Sequence, residues 1–242
     1  MHRSRLCALL IDCNTPDIDR AASFWAQALG WTHSDADGYS SVAGGDGTVR
    51  HLGFVTEPIE TRSPNWMHFD LASRSVQDQR ETVERLVDIG ARHIDIGQGP
   101  DAPHVVLADP DGNAFCVLEP GNTFVDDSGL LGSLTCVGSP AVGYFWSEAL
   151  QWPLVWDQNE ETAIRSPEGG QFITFGGPPE APKQRKNRIH IDVAPSLGDD
   201  QQAEVERLVS LGATHADIGQ GDVPWVVMAD PDGNEFCVLT PR

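Results

Sequence analysis

The sequence predicts an α+β fold built from two tandem units, each containing two βαβββ modules. Three observations support this prediction. The phrase ADPDGNAFCVLEP at 108–120 recurs as ADPDGNEFCVLTP at 229–241, and DIGQG occurs at both 95–99 and 217–221. Internal repeats of this kind indicate duplicated structural units. Within each unit, an apolar strand pattern, an amphipathic helix pattern and a group of short strand patterns follow in the same order twice.

The repeat covers nearly all of the 242 residues. HFD at 68–70, for example, corresponds to HID at 190–192. Units of about 120 residues are of ordinary domain size. We therefore predict one domain over 1–122 and a second over 123–242, with the two modules of each domain curving into a half-barrel sheet.

The first module begins with an apolar strand at 6–13. A helix follows, which Thr15 is expected to cap with Pro16 in the first turn, and which Gly30 ends. Its apolar stripe keeps helical spacing and should face a sheet: Ile18, Ala22, Trp25 and Leu29. Three short strands separated by glycine-rich turns are predicted next: 39–42, 48–50 and 52–56.

The second module repeats this plan. A strand at 66–71 precedes a helix whose start is marked by Ser75 and by Asp78 three residues later, and Gly90 ends that helix. Three more strands are predicted: 93–96, 104–108 and 114–119. The Asp-Pro-Asp-Gly sequence at 109–112 has proline and glycine where a tight turn needs them, so we interpret its aspartates as turn residues rather than catalysts.

The composition excludes several kinds of partner. With 36 acidic and 16 basic side chains, the net charge is -20, which disfavours nucleic acids and anionic membranes and would attract a cationic small ligand. No apolar stretch approaches the ~18 residues of a membrane span. The five cysteines are odd in number and lack CxxC spacing, which is typical of reduced thiols in a cytoplasmic protein.

A βαβββ module that occurs twice within a unit, and ends in a DPDGN-FCVL strand, resembles the vicinal oxygen chelate superfamily of glyoxalases, bleomycin-resistance proteins and extradiol dioxygenases. The resemblance extends over 6–120 and 130–241. It implies two tandem glyoxalase-like domains. It does not select one function, because the superfamily includes metal-dependent enzymes as well as metal-free proteins that sequester antibiotics.

The resemblance also implies a divalent metal held by His or Glu side chains from the first, fourth, fifth and eighth strands of a domain. The first-strand position corresponds to Leu10 in the first unit and to Leu131 in the second. The last-strand position corresponds to Cys116 and Cys237. Because leucine has no atom that binds a metal, the usual set of ligands is incomplete in both units.

The fifth-strand position aligns with Trp66 in the first unit and with Arg188 in the second, and a histidine follows two residues later in each. Neither side chain belongs to the usual metal ligands of proteins. We therefore expect no metal cofactor, while a divalent metal at a displaced site stays open.

Two histidine–aspartate pairs are the candidate catalytic residues: His68 with Asp70, and His190 with Asp192. Strand alternation places residues i and i+2 on one face of a sheet. An aspartate can orient a neighbouring imidazole and raise its basicity, as a general base requires. The alternative is a buried hydrogen-bonded pair that only organises the sheet.

Further residues are candidates for binding a ligand. His104 could join the first pair in an iron site, but Trp225 stands at its position in the second unit. Tryptophans without an obvious packing role could stack on a planar molecule. The cysteine of each FCVL strand could be a nucleophile, and the alternative is a small residue of the core. The predicted ligand-binding residues are His51, Trp66, His104, Cys116, Trp156, Arg188, Trp225 and Cys237.

The sequence therefore favours a cytoplasmic, metal-free protein that sequesters a planar or cationic organic ligand. The alternative is an enzyme, namely a lyase, isomerase or cyclase, that uses the histidine–aspartate pairs for acid–base chemistry, with or without a displaced metal. No nucleic-acid or membrane partner is expected. The chain is predicted to be either a monomer that mimics a dimer or a homodimer.

Overall fold

The computed structural model describes residues 4–15, 17–36, 38–44, 49, 51–57, 66–99, 101–179, 183 and 185–242. Within these ranges it contains four helices and sixteen strands, which confirms the α+β class. None of the helices in this part of the chain is long and apolar enough to cross a membrane.

The elements form four βαβββ modules in chain order. Module 1 comprises β1 (Arg5–Cys13), α1 (Ile18–Leu29), β2 (Thr32–Ala36), β3 (Tyr39–Ala43) and β4 (His51–Thr56). Module 2 comprises β5 (Met67–Leu71), α2 (Val76–Asp88), β6 (Arg92–His93), β7 (Val105–Ala108) and β8 (Ala114–Val117). Module 3 comprises β9 (Leu131–Cys136), α3 (Pro140–Leu150), β10 (Leu154–Gln158), β11 (Glu161–Arg165) and β12 (Phe172–Phe175). Module 4 comprises β13 (Ile189–Ala194), α4 (Gln201–Ser210), β14 (Thr214–His215), β15 (Val226–Ala229) and β16 (Glu235–Val238).

The modules form two eight-stranded sheets, and each sheet contains one module from each unit. Sheet A has the order β14-β15-β16-β13-β1-β4-β3-β2, and sheet B has the order β10-β11-β12-β9-β5-β8-β7-β6. The sequence analysis placed the two modules of one unit in the same sheet. The structure differs because the first strands of modules pair across the units, β1 with β13 and β5 with β9, both antiparallel.

Of the two helix starts that the sequence analysis predicted, the one at Ser75 agrees with the structure. The Ser75 hydroxyl accepts a hydrogen bond from the Asp78 N–H at 3.1 Å, and α3 begins at Pro140 directly after Ser139. The predicted cap at Thr15 was wrong, because α1 has Asp17 as its N-cap residue. The Asp17 side chain makes no capping hydrogen bond to the described backbone. Pro16 lies outside the described residues.

The strands of the first unit also differ from the prediction, since β6 covers only Arg92–His93 instead of 93–96 and one strand was not predicted. The structure contains β2 at Thr32–Ala36, which the sequence analysis did not identify. This strand lies at the edge of sheet A and most of its residues are exposed, so it lacks the apolar alternation that marks a strand. The predicted strand at 48–50 lies outside the described residues except for Val49, which is not in a strand.

The two faces of each sheet have different roles. Leu9, Ile11 and Cys13 of β1 are buried in the main core together with Trp25 of α1. The intervening residues of β1 point to the opposite face, because successive side chains of a strand alternate. In sheet A that opposite face lines a cavity.

The repeated Asp-Pro-Asp-Gly turn ties the modules together. The Asp109 carboxylate is fully buried and accepts hydrogen bonds from the backbone N–H groups of Asp111 and Asn113 and, at 3.1 Å, from the indole N–H of Trp25. Asp230 makes the same contacts in the second unit. Each turn therefore joins the β-hairpin of one module to the helix of the preceding module, which confirms its structural interpretation.

Candidate functional site

The main cavity of the site lies on the helix-free face of sheet A and has a volume of about 900 Å³. We call it the sheet-A cup. Strands β1, β3 and β4 of the first unit and strands β13 and β16 of the second unit contribute side chains to it, and residues 218–225 form part of its rim. The cup is therefore built from both units.

Three buried polar residues form the floor of the sheet-A cup. His190 and Asp192 come from β13, and their Nε2 and Oδ1 atoms are 3.6 Å apart. Asp12 comes from β1, with one oxygen 4.0 Å from His190 Nδ1 and 2.6 Å from the ammonium group of Lys186. Strand alternation predicted that the histidine and Asp192 would share a face, and they do.

Several polar atoms of this floor have no hydrogen-bond partner among the described residues. They are His190 Nδ1, Asp192 Oδ1 and the carboxylate oxygens of Asp12, one of which forms the ion pair with Lys186. Buried polar atoms in proteins are nearly always hydrogen-bonded. Unsatisfied acceptors that converge on a cavity therefore mark the place where a bound molecule would donate hydrogen bonds.

Burial sets the protonation of the floor. It lowers the pKa of His190 to about 3, with the Lys186 ammonium adding to the effect, so that the imidazole is neutral at physiological pH. Burial also raises the pKa of Asp192 to about 7, although a hydrogen bond from Cys237 opposes the shift. Burial likewise raises the pKa of the Cys237 thiol, which stays protonated. The floor thus pairs a neutral base with a carboxyl group that exchanges its proton near neutral pH.

The wall of the cup is partly aromatic. The Tyr39 hydroxyl and His51 Nε2 are hydrogen-bonded at 2.6 Å, and their rings are stacked with centroids 6.2 Å apart. Gly53 makes room for this pair, because a Cβ atom there would lie 2.7 Å from the tyrosine oxygen. Trp225 lies at the rim with 37% of its surface exposed, and Leu239 lines the same cavity. An apolar group of a ligand would contact this rim.

The equivalent face of sheet B, the sheet-B cup, carries the first histidine–aspartate pair, and part of the chain between the two units packs against it. His68 Nε2 and Asp70 Oδ1 are 3.4 Å apart. The segment 119–130 joins the two units across this face, and we call it the linker segment. Val125 of the linker segment packs on Cys116, and a Cβ atom at Gly132 would lie 2.3 Å from the valine Cγ1.

The sheet-B cup also has a different hydrogen-bond network. Asp70 Oδ2 accepts hydrogen bonds from the hydroxyls of Ser133, at 3.0 Å, and Thr135. These residues pair with Asp70 and His68 across the sheet. At the corresponding positions of sheet A, Ala8 pairs with Asp192 and Leu10 pairs with His190. By strand pairing, Leu10 therefore corresponds to Thr135 and not to Leu131, as the sequence analysis assigned it. That assignment was wrong because the strand register is irregular next to this pair in both sheets.

Charge states differ between the cups as a result. Burial lowers the pKa of His68, but hydrogen bonds to Asp70 and Cys116 outweigh it and raise the value to about 10. Burial opposes ionisation of Asp70, but its hydrogen bonds with His68 and with the two hydroxyls lower its pKa. Without a bound ion, the sheet-B pair is therefore a charged imidazolium–carboxylate pair, whereas His190 is neutral.

The structure brings five of the predicted site residues into the sheet-A cup and three into the sheet-B cup. Those in the first are His51, His190, Asp192, Trp225 and Cys237. Those in the second are His68, Asp70 and Cys116. The remaining four predicted residues do not line the sheet-A cup.

Each of these four residues has another environment. The Arg188 guanidinium is largely buried and forms an ion pair with the carboxylate of Asp111 in the repeated turn. Trp156 of β10 packs edge to face against Phe124 of the linker segment, with ring centroids 5.4 Å apart. Trp66 is buried immediately before β5. His104 is half-buried beside β7, in sheet B.

Among the residues of the sheet-A cup that sequence reasoning missed are Asp12, Tyr39 and Lys186. A signal was available for Asp12, since it is the one charged residue in the apolar stretch LCALLIDC. A charge in a buried strand is rarely tolerated unless it is paired or functional. Neither of the other two carried a local signal, because their positions depend on long-range pairing.

The divalent metal implied by the superfamily can be tested against the donors that are present. Two groups each place one histidine nitrogen, one carboxylate oxygen and one cysteine sulfur within 4.8 Å of one another: His68, Asp70 and Cys116, and His190, Asp192 and Cys237. Nitrogen and sulfur donors suit a borderline or soft ion such as Zn²⁺. The donors therefore fit such an ion. The sheet-B group fits better, because hydroxyls anchor its carboxylate.

Comparisons with solved structures show the same fold in proteins of distant sequence. Glyoxalase I from Zea mays aligns with 99% of this chain and 93% of its own, at a TM-score of 0.62 and 13% identity. A candidate dioxygenase from Bacillus subtilis aligns with 99% of this chain and 86% of its own, at a TM-score of 0.63 and 13% identity. At such identities the likeness is one of fold. No curated protein matches the chain.

One family matches most of the sequence. The family described as Glyoxalase-like domain matches residues 8–118 and again residues 133–239. The two matches coincide with the two repeat units and include the strands that form both cups. The chain therefore belongs to the glyoxalase-like domain family, of which it contains two tandem copies.

Proposed function

We propose that this protein binds a small organic molecule in the sheet-A cup. The observation that carries the proposal is a cavity of about 900 Å³ whose floor holds buried polar atoms without hydrogen-bond partners on His190 and Asp192, beside the Asp12–Lys186 ion pair. Cavities of this size with a few convergent polar groups are the usual form of small-molecule sites. The free thiols are consistent with a reducing, cytoplasmic environment.

The chemistry of the floor and rim indicates the class of ligand. The carboxylate oxygens among these atoms accept hydrogen bonds, so the ligand should present N–H or O–H donors. A cationic amine suits the carboxylates best, and the net charge of -20 would favour its approach. Its apolar part would lie against Trp225 and Leu239 at the rim. We therefore infer a planar apolar ligand that carries an amine or hydroxyl group.

The assembly of the cup supports a monomer that acts as a pseudo-dimer. β1 of the first unit pairs directly with β13 of the second, so a single chain supplies both halves of the sheet-A cup. No second chain is required to complete it. We propose one organic ligand per chain, because the linker segment covers the other cup.

The test uses three probes that share one ring system: naphthylmethylamine, naphthylmethanol and methylnaphthalene. Binding is measured by quenching of tryptophan fluorescence and by calorimetry. The affinity should fall from the amine to the alcohol to the hydrocarbon, since donors are removed in that order. The Trp225→Ala substitution should weaken binding of the amine by about tenfold, which corresponds to a loss of roughly 1.4 kcal/mol. The matched control Trp156→Ala, in sheet B, should leave the affinity unchanged.

Two results would contradict this proposal. The first is equal affinity of the three probes, because the floor would then not recognise donors. The second is an amine affinity that changes with Trp156→Ala and not with Trp225→Ala, because the ligand would then lie in the sheet-B cup.

A second candidate function is acid–base catalysis in the same cup. It is favoured by one observation, namely that Asp192 has a pKa of about 7 and lies 3.6 Å from the neutral imidazole of His190. A group whose pKa is near the working pH can both accept and return a proton efficiently. This would suit a lyase, isomerase or cyclase that moves a proton on a carbon acid. If turnover is found, His190→Ala should abolish it while the amine probe still binds.

A further inference from the structure

We propose that Lys186 selects the ligands of the sheet-A cup by their charge. Its ammonium group occupies the position beside Asp12 that the cationic group of a ligand takes, and a ligand amine binds by displacing it. This inference rests on the proposed function and deepens it, because it names the residue with which the ligand competes.

Asp12 needs a cation beside it. Its carboxylate is 1% exposed, lies in the apolar strand β1, and has one oxygen 2.6 Å from the Lys186 ammonium. Among the described residues, Lys186 is the one lysine or arginine that forms an ion pair with it. Burial raises the pKa of Asp12, and the ammonium opposes this shift. A buried carboxylate that loses its cation must take up a proton or another cation, because an isolated buried charge is strongly destabilising. The amine of a ligand is such a cation.

The ion pair is not a requirement of the fold, as the second copy of the same position shows. The Asp12 N–H donates a hydrogen bond to the backbone oxygen of Arg188 at 2.7 Å, and in sheet B the Val137 N–H donates to the backbone oxygen of Trp66 at 2.7 Å. Valine therefore stands at the position that Asp12 has in sheet A. Since apolar residues can replace a buried ion pair without loss of stability, the charged pair beside the sheet-A cavity points to binding.

The main chain on both sides of Lys186 is held in place by Glu235 of β16. The Glu235 carboxylate forms an ion pair with Lys183 and accepts a hydrogen bond from the Asn187 backbone N–H at 3.1 Å. The Asn187 side chain also donates to Asn234 at 2.9 Å. The Lys186 side chain, in contrast, is held by the ion pair with Asp12 and is 22% exposed. It can therefore leave the floor of the cup while the main chain stays where it is.

The competition has a predictable size. An internal group that occupies a site in about nine-tenths of the molecules lowers the apparent affinity of an external ligand about tenfold. A ligand with a cationic group regains the contact with Asp12 when it displaces Lys186. A hydrocarbon has no group that replaces the ammonium, so it binds in the apolar part of the cup with the ion pair intact.

The displacement can be observed directly, because Lys183 and Lys186 are the two lysines of the chain. The full chain is acetylated at pH 8 with an N-hydroxysuccinimide ester, and modification of each lysine is followed by mass spectrometry. The probe is N,N-dimethylnaphthylmethylamine, a cation that cannot itself be acetylated, and methylnaphthalene is the neutral comparison. Saturation with the cation should raise the acetylation rate of Lys186 by about tenfold, because the displaced fraction rises from about one-tenth towards one. Lys183 should be unaffected, and methylnaphthalene should change neither rate.

A substitution tests the same competition by calorimetry at pH 8, where a proton on Asp12 competes least with the probe. Lys186→Met removes the ammonium and keeps a side chain of similar length. Its affinity for the cationic probe should be about tenfold higher than that of the wild type, and its affinity for methylnaphthalene should change by less than about twofold. The matched control is Arg185→Met, which removes one positive charge from the exposed neighbour of Lys186 and should leave both affinities unchanged.

Circular dichroism shows whether each variant is folded, and if Lys186→Met is not, acetylation of the wild type decides the question. The proposal is overturned if the cationic probe binds the wild type without changing the acetylation of Lys186, or if a folded Lys186→Met binds it no better than the wild type. In both cases the proposed function still stands. If neither protein binds the probe, the proposed function fails as well. Binding to Lys186→Met alone would support the proposal, because the lysine would then exclude the cation from the wild-type cup.

Discussion

The Asp192→Asn substitution should stabilise the protein, and increasingly so as the pH rises. The pKa of Asp192 is raised from 3.8 to about 7 by burial. Between about pH 4 and pH 7 the folded state therefore retains a proton that the unfolded state has lost. The contribution of this carboxyl group to stability is consequently largest below pH 4. That contribution is lost as the pH rises towards 7. Asparagine has a similar shape and stays neutral, so it removes the cost of the buried charge.

The magnitude follows from the two pKa values. Each pKa unit corresponds to about 1.4 kcal/mol. Keeping Asp192 buried therefore costs the wild type between 1 and 2 kcal/mol at pH 5 and on the order of 4 kcal/mol at pH 8. The free energy of unfolding of Asp192→Asn relative to the wild type should thus increase by about 2.5 kcal/mol between these two pH values. His190 titrates in both proteins, so its opposite contribution cancels in the difference.

The assay is urea denaturation followed by tryptophan fluorescence at four pH values from 5 to 8. The matched control is Asp70→Asn, measured with a chelator present. Its carboxylate accepts hydrogen bonds from Ser133 and Thr135, and its removal should not stabilise the protein at any pH. A stability difference for Asp192→Asn that is the same at pH 5 and pH 8 would refute the reasoning, because it would mean that this carboxyl group has a normal pKa in the folded protein.

Two further predictions concern the scaffold. Asp109→Ala should lower the free energy of unfolding by about 3–5 kcal/mol in urea denaturation. The reason is that it leaves the indole N–H of Trp25 and two backbone N–H groups buried without partners. A loss below about 1 kcal/mol would show that water replaces the carboxylate. Gly143→Ala should cost about 1–3 kcal/mol and lower the melting temperature, because its Cβ would lie 2.0 Å from Thr162 Oγ1. Combining it with Thr162→Ala should recover part of the loss, and additive losses would argue against this contact.

The sequence predicted the features that local rules determine. Alternation along a strand placed His190 and Asp192 on one face, and the turn chemistry of Asp-Pro-Asp-Gly identified the hairpins. The grouping of Asp70 with Cys116 could not be predicted in the same way. These two residues are neighbours only because β5 and β8 pair in parallel with Asp70 opposite Cys116. The register between strands that are distant in the chain cannot be deduced from either segment alone.

The difference between the two cups follows from how the modules are connected. Modules 2 and 3 are consecutive in the chain and share sheet B, where β5 lies between β8 and β9. The linker segment runs from β8 to β9, so it must cross β5, and Val125 shows that it crosses on the cup side. Modules 1 and 4 share sheet A but are not consecutive, and the connections that follow β4 and precede β13 both lead to sheet B. Pairing across a tandem duplication therefore places a connecting segment over one cup, whereas the described residues around the other leave a cavity of about 900 Å³. The two copies of one histidine–aspartate–cysteine group therefore lie in different surroundings, one beneath the linker segment and the other in the sheet-A cup.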